Sequence, residues 1–408
     1  IEKIEATRGV SEVVLETKYE PCETEEGAAQ PNNGASTAMT GASNAWASGY
    51  TGAGSRVAII DTGLDTDHQA VDNGAYLYAM ADNAKAANMT TEDYMASLNL
   101  LEEEEIAAVL PQLNIYKGYN DVEGNFKKDE TLTADVLHLT DKVPFAYNYI
   151  DRDLDVTHDN DGQGGHGSHV AGISTANAYI PNADGTFSNA LDTVKVQGVA
   201  PDAQLITMKV FGKNGGAYES DYLVAIEDAI VLKCDSINLS LGSSNPGASR
   251  HDQEEYQAIL DSLAECGVVV AIAAGNASSW VAEAQNAGYL YADDVSMDMV
   301  GSPGSYTNSL CVASIDNAGV TGEYFTVGEN VVVYTQSTGF KNQPLATIAG
   351  EHEYLLIDGV GTEEEFSAIA GELEGKIAVC SRGTTSFYQK AEAAVANGAI
   401  ATIIYNNQ

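Results

Sequence analysis

Apolar runs and helix-like repeats alternate through the middle of the chain. The runs are rich in β-branched residues and predict buried strands, at about 56–60, 205–210, 236–241, 268–273 and 310–313. Two segments between them, 222–230 and 256–263, carry apolar residues at helical spacing. This alternation predicts an α/β fold, a parallel sheet with helices on both faces. In such a sheet, functional residues lie beyond the carboxyl ends of the strands.

The pattern changes on both sides of this region. Beyond about residue 326, several strands and one helix predict a second, smaller α/β unit, with the strands at 331–334, 354–357, 375–379 and 400–405 and the helix at 387–396. Before it, the alternating run 9–16 predicts one strand within residues 1–20. The small polar residues of 21–43 predict a linker that leads into a larger domain at 44–325.

The larger domain holds an acidic, weakly patterned segment at about 73–145. Because it separates two predicted core elements, we interpret it as an insertion. Its run of four glutamates, Glu102 to Glu105, is typical of a solvated helix face.

Charge and cysteine content narrow the function classes. The 408 residues include 19 Lys and Arg against 59 Asp and Glu, a formal net charge of −40, which argues against nucleic acid or an anionic membrane as partner. The five cysteines have no Cys-x-x-Cys spacing, so neither a zinc site nor a disulfide framework is indicated. No apolar segment is long enough to span a bilayer. Because the first residue is Ile1, we expect a processed chain.

Candidate chemistry lies at the ends of the predicted strands. Asp61 ends the first strand, Ser240–Leu241–Gly242 ends another, and Asn276 follows a third. The stretch 164–172 places His166 at the mouth of a predicted helix, beside glycines that allow close backbone approach. Taken singly, each motif has an ordinary structural explanation: a helix cap for the aspartate, a strand exit for Ser-Leu-Gly, and a turn for the asparagine.

Four motifs in succession resemble the signatures of the subtilisin-like serine proteases, over roughly residues 44–320: 57–63 (VAIIDTG), 166–172 (HGSHVAG), 238–242 (NLSLG) and 274–276 (AGN). Three further stretches are similar to the cell-envelope proteinases of the lactocepin and complement-cleaving peptidase type: 144–149, 198–205 and 299–304. Residues 326–408 resemble the protease-associated domain that is inserted in that group. The resemblance implies a secreted or cell-wall-associated extracellular endopeptidase that acts on protein or peptide substrates.

The resemblance also implies a role for each residue. His166 is the general base that takes a proton from a serine, which is otherwise a poor nucleophile. Asp61 orients the imidazole and stabilises its charged form, and the Asn276 amide donates to the oxyanion. Ser240, Leu241 and Gly242 form an edge on which an extended substrate pairs as an added strand. We interpret His68 and His169 as structural.

Other implications of the resemblance stay less specific. No cofactor is required for the chemistry, and structural calcium is expected around the acidic stretches 151–155 and 158–161, with no ligands assigned. The run 10–15 resembles the end of an inhibitory propeptide, although a plain N-terminal strand would have the same pattern.

The family's nucleophile lies in a Gly-Thr-Ser-Met-Ala type of stretch, and no such stretch occurs in these 408 residues. We therefore expect the N-terminal part of a larger endopeptidase, whose serine lies on a C-terminal fragment. The end at 406–408 fits a nick in an exposed turn, or is a boundary of the sequence alone. The main alternative is an inactive protease-fold binding protein. A nucleotide-binding sheet is less well supported, because the glycines at 162–165 follow no clear strand.

Overall fold

The computed structural model describes most of the chain: residues 18–21, 34–120, 126–127, 131–158, 164–212, 216–242, 254–275, 300–315, 322–336, 343–383 and 386–405. The chain divides into two compact units between Val320 and Thr321. The sequence pattern predicts a boundary a few residues later, at about 326.

The first unit contains thirteen strands in its described residues: β1 Lys18–Pro21, β2 Arg56–Asp61, β3 Tyr119–Asn120, β4 Phe126–Lys127, β5 Phe145–Asn148, β6 Tyr179–Pro181, β7 Phe187–Asn189, β8 Gln204–Lys209, β9 Ala217–Tyr218, β10 Ser236–Leu239, β11 Leu241–Gly242, β12 Val269–Ala273 and β13 Leu310–Val312. Its α-helices there are α1 Gly34–Met39, α2 Ala42–Ala47, α3 Asn73–Ala86, α4 Thr91–Ser97, α5 Glu103–Val109, α6 Asn114–Lys117, α7 Ala134–Leu137, α8 His166–Thr175, α9 Ala190–Thr193, α10 Glu219–Val231 and α11 Glu254–Glu265. Two 3-10 turns lie at Gln69–Val71 and Leu110–Gln112.

Six strands form the central sheet, in the order β13-β12-β10-β2-β8-β5, with every neighbouring pair parallel. One face is buried by α10 and α11, whose apolar side chains share a core with Ile237 and Ile272. On the other face, α8 packs against β2 through a cluster that contains Ile59, Val170 and Ala171. The predicted fold, a parallel sheet with helices on both faces, is confirmed.

The N-terminal region differs from its prediction. The strand predicted at 9–16 lies outside the described residues, and the described strand is β1, a little later in the chain. The linker predicted over 21–43 contains helix α1 and the start of α2. Thr37 and Ala42 are buried there. Small residues such as alanine favour helices as well as linkers, so composition alone misled the interpretation.

The four glutamates of the insertion are not all solvated, which corrects the sequence interpretation. Helix α5 begins at Glu103, and Glu105 forms a 2.6 Å ion pair with Arg56, which is fully buried. Arg56 also donates to Leu232 O at 2.8 Å and Leu100 O at 3.0 Å. Lys233 reaches the other Glu105 oxygen at 2.9 Å. The insertion is thus tied by charge to the start of β2 and the end of α10.

Exchange of Glu105 for glutamine is expected to lower the free energy of unfolding by about 2 kcal/mol at pH 7, because the buried guanidinium loses its carboxylate. Partial burial raises the pKa of Glu105, but hydrogen bonds from Arg56 and Lys233 outweigh it and lower the pKa below the usual 4.5. A depressed folded-state pKa stabilises the fold above that value. The difference in the free energy of unfolding between the wild type and the glutamine variant should therefore disappear as the pH falls through the folded-state pKa.

Chemical denaturation of both proteins between pH 3 and pH 7 measures this effect. Glu104→Gln is the matched control, since Glu104 is exposed on the same turn and should tolerate the change. A pH-independent difference, or an equal loss in the control, would contradict the assignment.

The second unit is a small α/β fold in its described residues. Its strands are β14 Glu323–Val327, β15 Asn330–Tyr334, β16 Tyr354–Leu356, β17 Ile377–Ser381 and β18 Ala401–Tyr405, and its α-helices are α12 Glu363–Ala368, α13 Ala370–Leu373 and α14 Phe387–Ala396. Strands β16, β17 and β18 form a parallel sheet, and β14 and β15 form an antiparallel hairpin. Phe366, Leu373 and Ala394 pack on the sheet in one core. In the described part of both units, no helix has the length and apolarity to cross a bilayer.

Candidate active site

Asp61 and His166 meet at the carboxyl edge of the central sheet. Asp61 is the last residue of β2 and His166 the first of α8, and His166 Nδ1 lies 2.7 Å from Asp61 Oδ1. The two residues are only 1% and 8% exposed. An ionised carboxylate can only accept, so Nδ1 carries the proton in this contact and Nε2 keeps its lone pair. The geometry therefore presents Nε2 as a proton acceptor.

The turn after Asp61 is packed tightly against the start of α8. Thr62 N donates to Asp61 Oδ1 at 2.6 Å, and Gly167 N donates to Thr62 Oγ1 at 2.8 Å. A Cβ placed on Gly167 would lie 2.2 Å from Gly63 O, and one on Gly63, whose φ is +115°, would lie 2.1 Å from Val156 O. Only glycine allows this approach of the two backbones.

The Ser240–Leu241–Gly242 segment lies at the same edge of the sheet. Ile59 pairs with Asn238 on the neighbouring strand, so Ser240 is level with Asp61. Ser240 Oγ accepts from Asn238 Nδ2 at 2.9 Å, and Leu241 is buried in the core. Strand β11, formed by Leu241 and Gly242, directly follows β10. Its backbone edge, rather than the Leu241 side chain, is therefore the part that a peptide can reach.

That edge is paired with the chain's own N-terminal strand. β1 runs antiparallel to β11 on one side, where Glu20 is opposite Gly242, and antiparallel to β9 on the other, where Lys18 is opposite Tyr218. The three strands form a small sheet in the order β11-β1-β9. The four residues of β1, which are distant in sequence from both neighbouring strands, thus fill the slot between the edges of β11 and β9.

Asn276 lies outside the described residues. The described chain reaches Gly275, beyond the end of β12. Because Leu239 pairs with Ile272, this end of β12 lies at the same sheet edge as Asp61 and Ser240. The loop that begins at Gly301 is held there, since Gly301 N donates to Ala274 O at 2.9 Å.

The other two candidate histidines do not contact Asp61. His68 is exposed, and its Nδ1 accepts from Ala70 N at 3.1 Å, which caps a 3-10 turn. His169 lies one helical turn beyond Gly165, whose carbonyl it contacts through its backbone. Desolvation, and then the neighbouring His166, lower the pKa of His169 below its usual value. The lowered pKa favours the uncharged form of His169.

The predicted calcium region is only partly described, because residues 159–163 lie outside the described chain. In the part that is described, Asn148 Nδ2 donates to Asp155 O at 2.9 Å and to Asp151 Oδ2 at 3.3 Å. Across the described residues, no group of three or more His, Cys, Asp or Glu side chains could hold a metal ion.

Two contacts near Asp61 were not anticipated from the sequence. One is the tie from Thr62 to Gly167, and the other is a 2.5 Å hydrogen bond from Lys209 Nζ to Thr62 O. The sequence did contain a signal for the second contact, because Lys209 is a charged residue near the end of the apolar run 205–210. The pairing of β1 had no signal in the sequence pattern.

The chain is similar to a known protein family and to several curated proteins. The profile of the subtilase family matches residues 52–401. Over its full length the chain is 27% identical to a PII-type proteinase of Lacticaseibacillus paracasei, of which it covers 19%. Over 94% of its length it is 27% identical to the minor extracellular protease Vpr of Bacillus subtilis, covering 35%, and over 88% it is 29% identical to a C5a peptidase of Streptococcus pyogenes, covering 26%. The chain thus spans between a fifth and about a third of these relatives.

Proposed function

Because this chain belongs to the subtilase family, we propose that it carries the acid–base half of a secreted serine endopeptidase's active site. The observation that carries the proposal is the buried 2.7 Å contact between His166 and Asp61 at the sheet edge. The contact uses Nδ1, so the acceptor role in this proposal falls to Nε2. The name of one relative, an extracellular protease, supports the same location for this protein.

In this proposal His166 Nε2 removes the proton from a serine hydroxyl as the hydroxyl attacks the scissile carbonyl. Asp61 stabilises the imidazolium that results, and the imidazolium then protonates the leaving amine. Asn276 donates to the oxyanion. The serine comes from polypeptide outside these 408 residues, which contain no Gly-Thr-Ser-Met-Ala type of stretch.

One face of the central sheet is partly exposed, which supports the proposal that this further polypeptide packs there. Ile237 and Ile272 point into the core under α10 and α11, so their neighbours along β10 and β12 point to the α8 face. On that face Val269 is 50%, Leu310 59% and Val312 56% exposed. Parallel sheets are normally covered on both faces. A helix packed beside α8 would cover these residues.

The substrate in this proposal is an extended peptide that pairs with β11. The support is β1, which shows that an antiparallel strand fits between β11 and β9. Backbone pairing at such an edge recognises a peptide with little regard to its sequence. We further propose that residues 1–21 act as an internal inhibitor, since their described part, β1, occupies the slot that a substrate would need.

Fluorophosphonate labelling tests the enzyme proposal. The natively assembled protein should be labelled at one serine, on a peptide absent from these 408 residues, and His166→Ala should abolish labelling. Absence of labelling in the wild type, with peptide binding retained, would favour the alternative of an inactive protease-fold binding protein. Labelling at a serine inside this chain would contradict the proposed origin of the nucleophile.

Removal of residues 1–21 is expected to strengthen binding of a free peptide at least about 10-fold. A tethered strand competes at an effective concentration of about millimolar, so its loss frees the slot. Isothermal titration with a synthetic peptide spanning residues 14–21 measures the change. The matched control removes residues 1–17 only and keeps β1. Equal affinities for the two truncated proteins would refute the internal inhibitor.

A further inference from the structure

Lys209 is a buried cation beside the site that the proposed chemistry does not use. It is the last residue of β8, lies directly opposite Asp61 in the register of the sheet, and is 2% exposed. Burial of an ammonium group is unfavourable unless specific partners compensate for the lost water. Its Nζ donates to Thr62 O at 2.5 Å. The aliphatic part of its side chain also packs against Gly63: a Cβ built on Gly63 would lie 3.2 Å from Lys209 Cδ.

Thr62 joins three elements through its three polar groups. Its N–H donates to Asp61 at the end of β2, its hydroxyl accepts from Gly167 in α8, and its carbonyl accepts from Lys209 in β8. The peptide between Asp61 and Gly63 therefore has little freedom to rotate while all three contacts persist. Loss of the Lys209 contact would release the carbonyl end of this peptide.

We infer that Lys209 is a positioning residue, whose ammonium holds Thr62 so that Asp61 and His166 keep their contact. Its role in catalysis rests on the proposed function, but its effect on the pair does not. The pair lies wholly within the described chain, so the inference can be tested without the nucleophile.

The test observes the proton between His166 Nδ1 and Asp61 Oδ1 in the natively assembled protein. A buried, short hydrogen bond of this kind gives a low-field proton NMR signal that exchanges slowly with water. Lys209→Met should speed this exchange at least about 10-fold or remove the signal, while circular dichroism shows a folded protein. Lys209→Arg, which keeps a charged donor, should keep the signal and its slow exchange. If the methionine variant does not fold, Lys209→Gln, too short to reach Thr62 O, replaces it with the same expectation.

Lys142 provides the matched control. It is also a fully buried lysine, and its Nζ donates to two backbone carbonyls, Pro201 O at 2.9 Å and Ala203 O at 2.8 Å, neither of which belongs to the turn around Thr62. Lys142→Met should therefore lower thermal stability and leave the signal unchanged. Unchanged exchange in Lys209→Met, or the same acceleration in both variants, would overturn the inference. Because no serine is involved, this outcome is independent of fluorophosphonate labelling.

Discussion

Asp61→Asn is expected to lower kcat about 10⁴-fold in the assembled protease, with little change in KM. Thr62 N and His166 Nδ1 both contact Oδ1 of Asp61, and a neutral amide at this position no longer supplies the negative charge that stabilises the imidazolium. If the amide turned its nitrogen to this position instead, His166 Nδ1 would have to accept and the proton would move to Nε2. In either orientation the imidazole is a weaker acceptor for the serine proton, although the fold should be nearly intact. Steady-state hydrolysis of a peptide substrate measures the loss.

Asp65→Asn is the control for this exchange. Asp65 lies on the same loop, and among the described residues its side chain accepts a 3.3 Å contact from Asp67 N, far from His166 Nδ1 in the hydrogen-bond pattern. It should keep most of the activity. If Asp61→Asn retained more than about a tenth of wild-type kcat, the assigned role of Asp61 would be wrong.

Gly167→Ala is expected to damage both the site and the fold. The new Cβ would lie 2.2 Å from Gly63 O and 2.8 Å from Gly63 N, and backbone cannot move away as a side chain can. Helix α8 must shift away from the turn that holds Asp61. Overpacking of this kind costs about 3 kcal/mol, and a displacement of about 1 Å at a catalytic group lowers the rate about 100-fold. Thermal unfolding and kcat/KM measure the two effects.

Gly172→Ala is the matched control in the same helix. Apart from its chain neighbours and the backbone of its own helix, no atom of the described residues lies within 4 Å of a Cβ at Gly172. Alanine should therefore stabilise α8 by about 0.5–1 kcal/mol through its higher helix propensity, with activity unchanged. If the two variants behaved alike, the close approach of Gly167 and Gly63 would not be what positions His166.

The larger elements could be predicted because each has a strong local pattern. The runs around Ile59 and Ile206 are mainly apolar and β-branched over most of a strand length, and helix α14 has the bounds expected from its repeat. The four-residue strand β5 was not predicted as a strand, since so short a segment has too few positions to show a period. Helix α1 was hidden by a composition that also suits a linker.

For the candidate site, the residues could be predicted from the sequence, but most of the contacts between them could not. Asp61 and His166 stand in motifs of contiguous residues, so the sequence alone singled them out as candidates and predicted a parallel sheet that would bring strand ends together. Which groups touch was decided by the tertiary structure. The contacts of Thr62 with Gly167 and Lys209 join residues about 105 and 147 positions apart, and β1 pairs with strands about 200 positions away. Such contacts depend on strand register and on the path of the backbone between elements. Neither leaves a periodic trace in the local sequence, because register is set by the packing of the whole sheet.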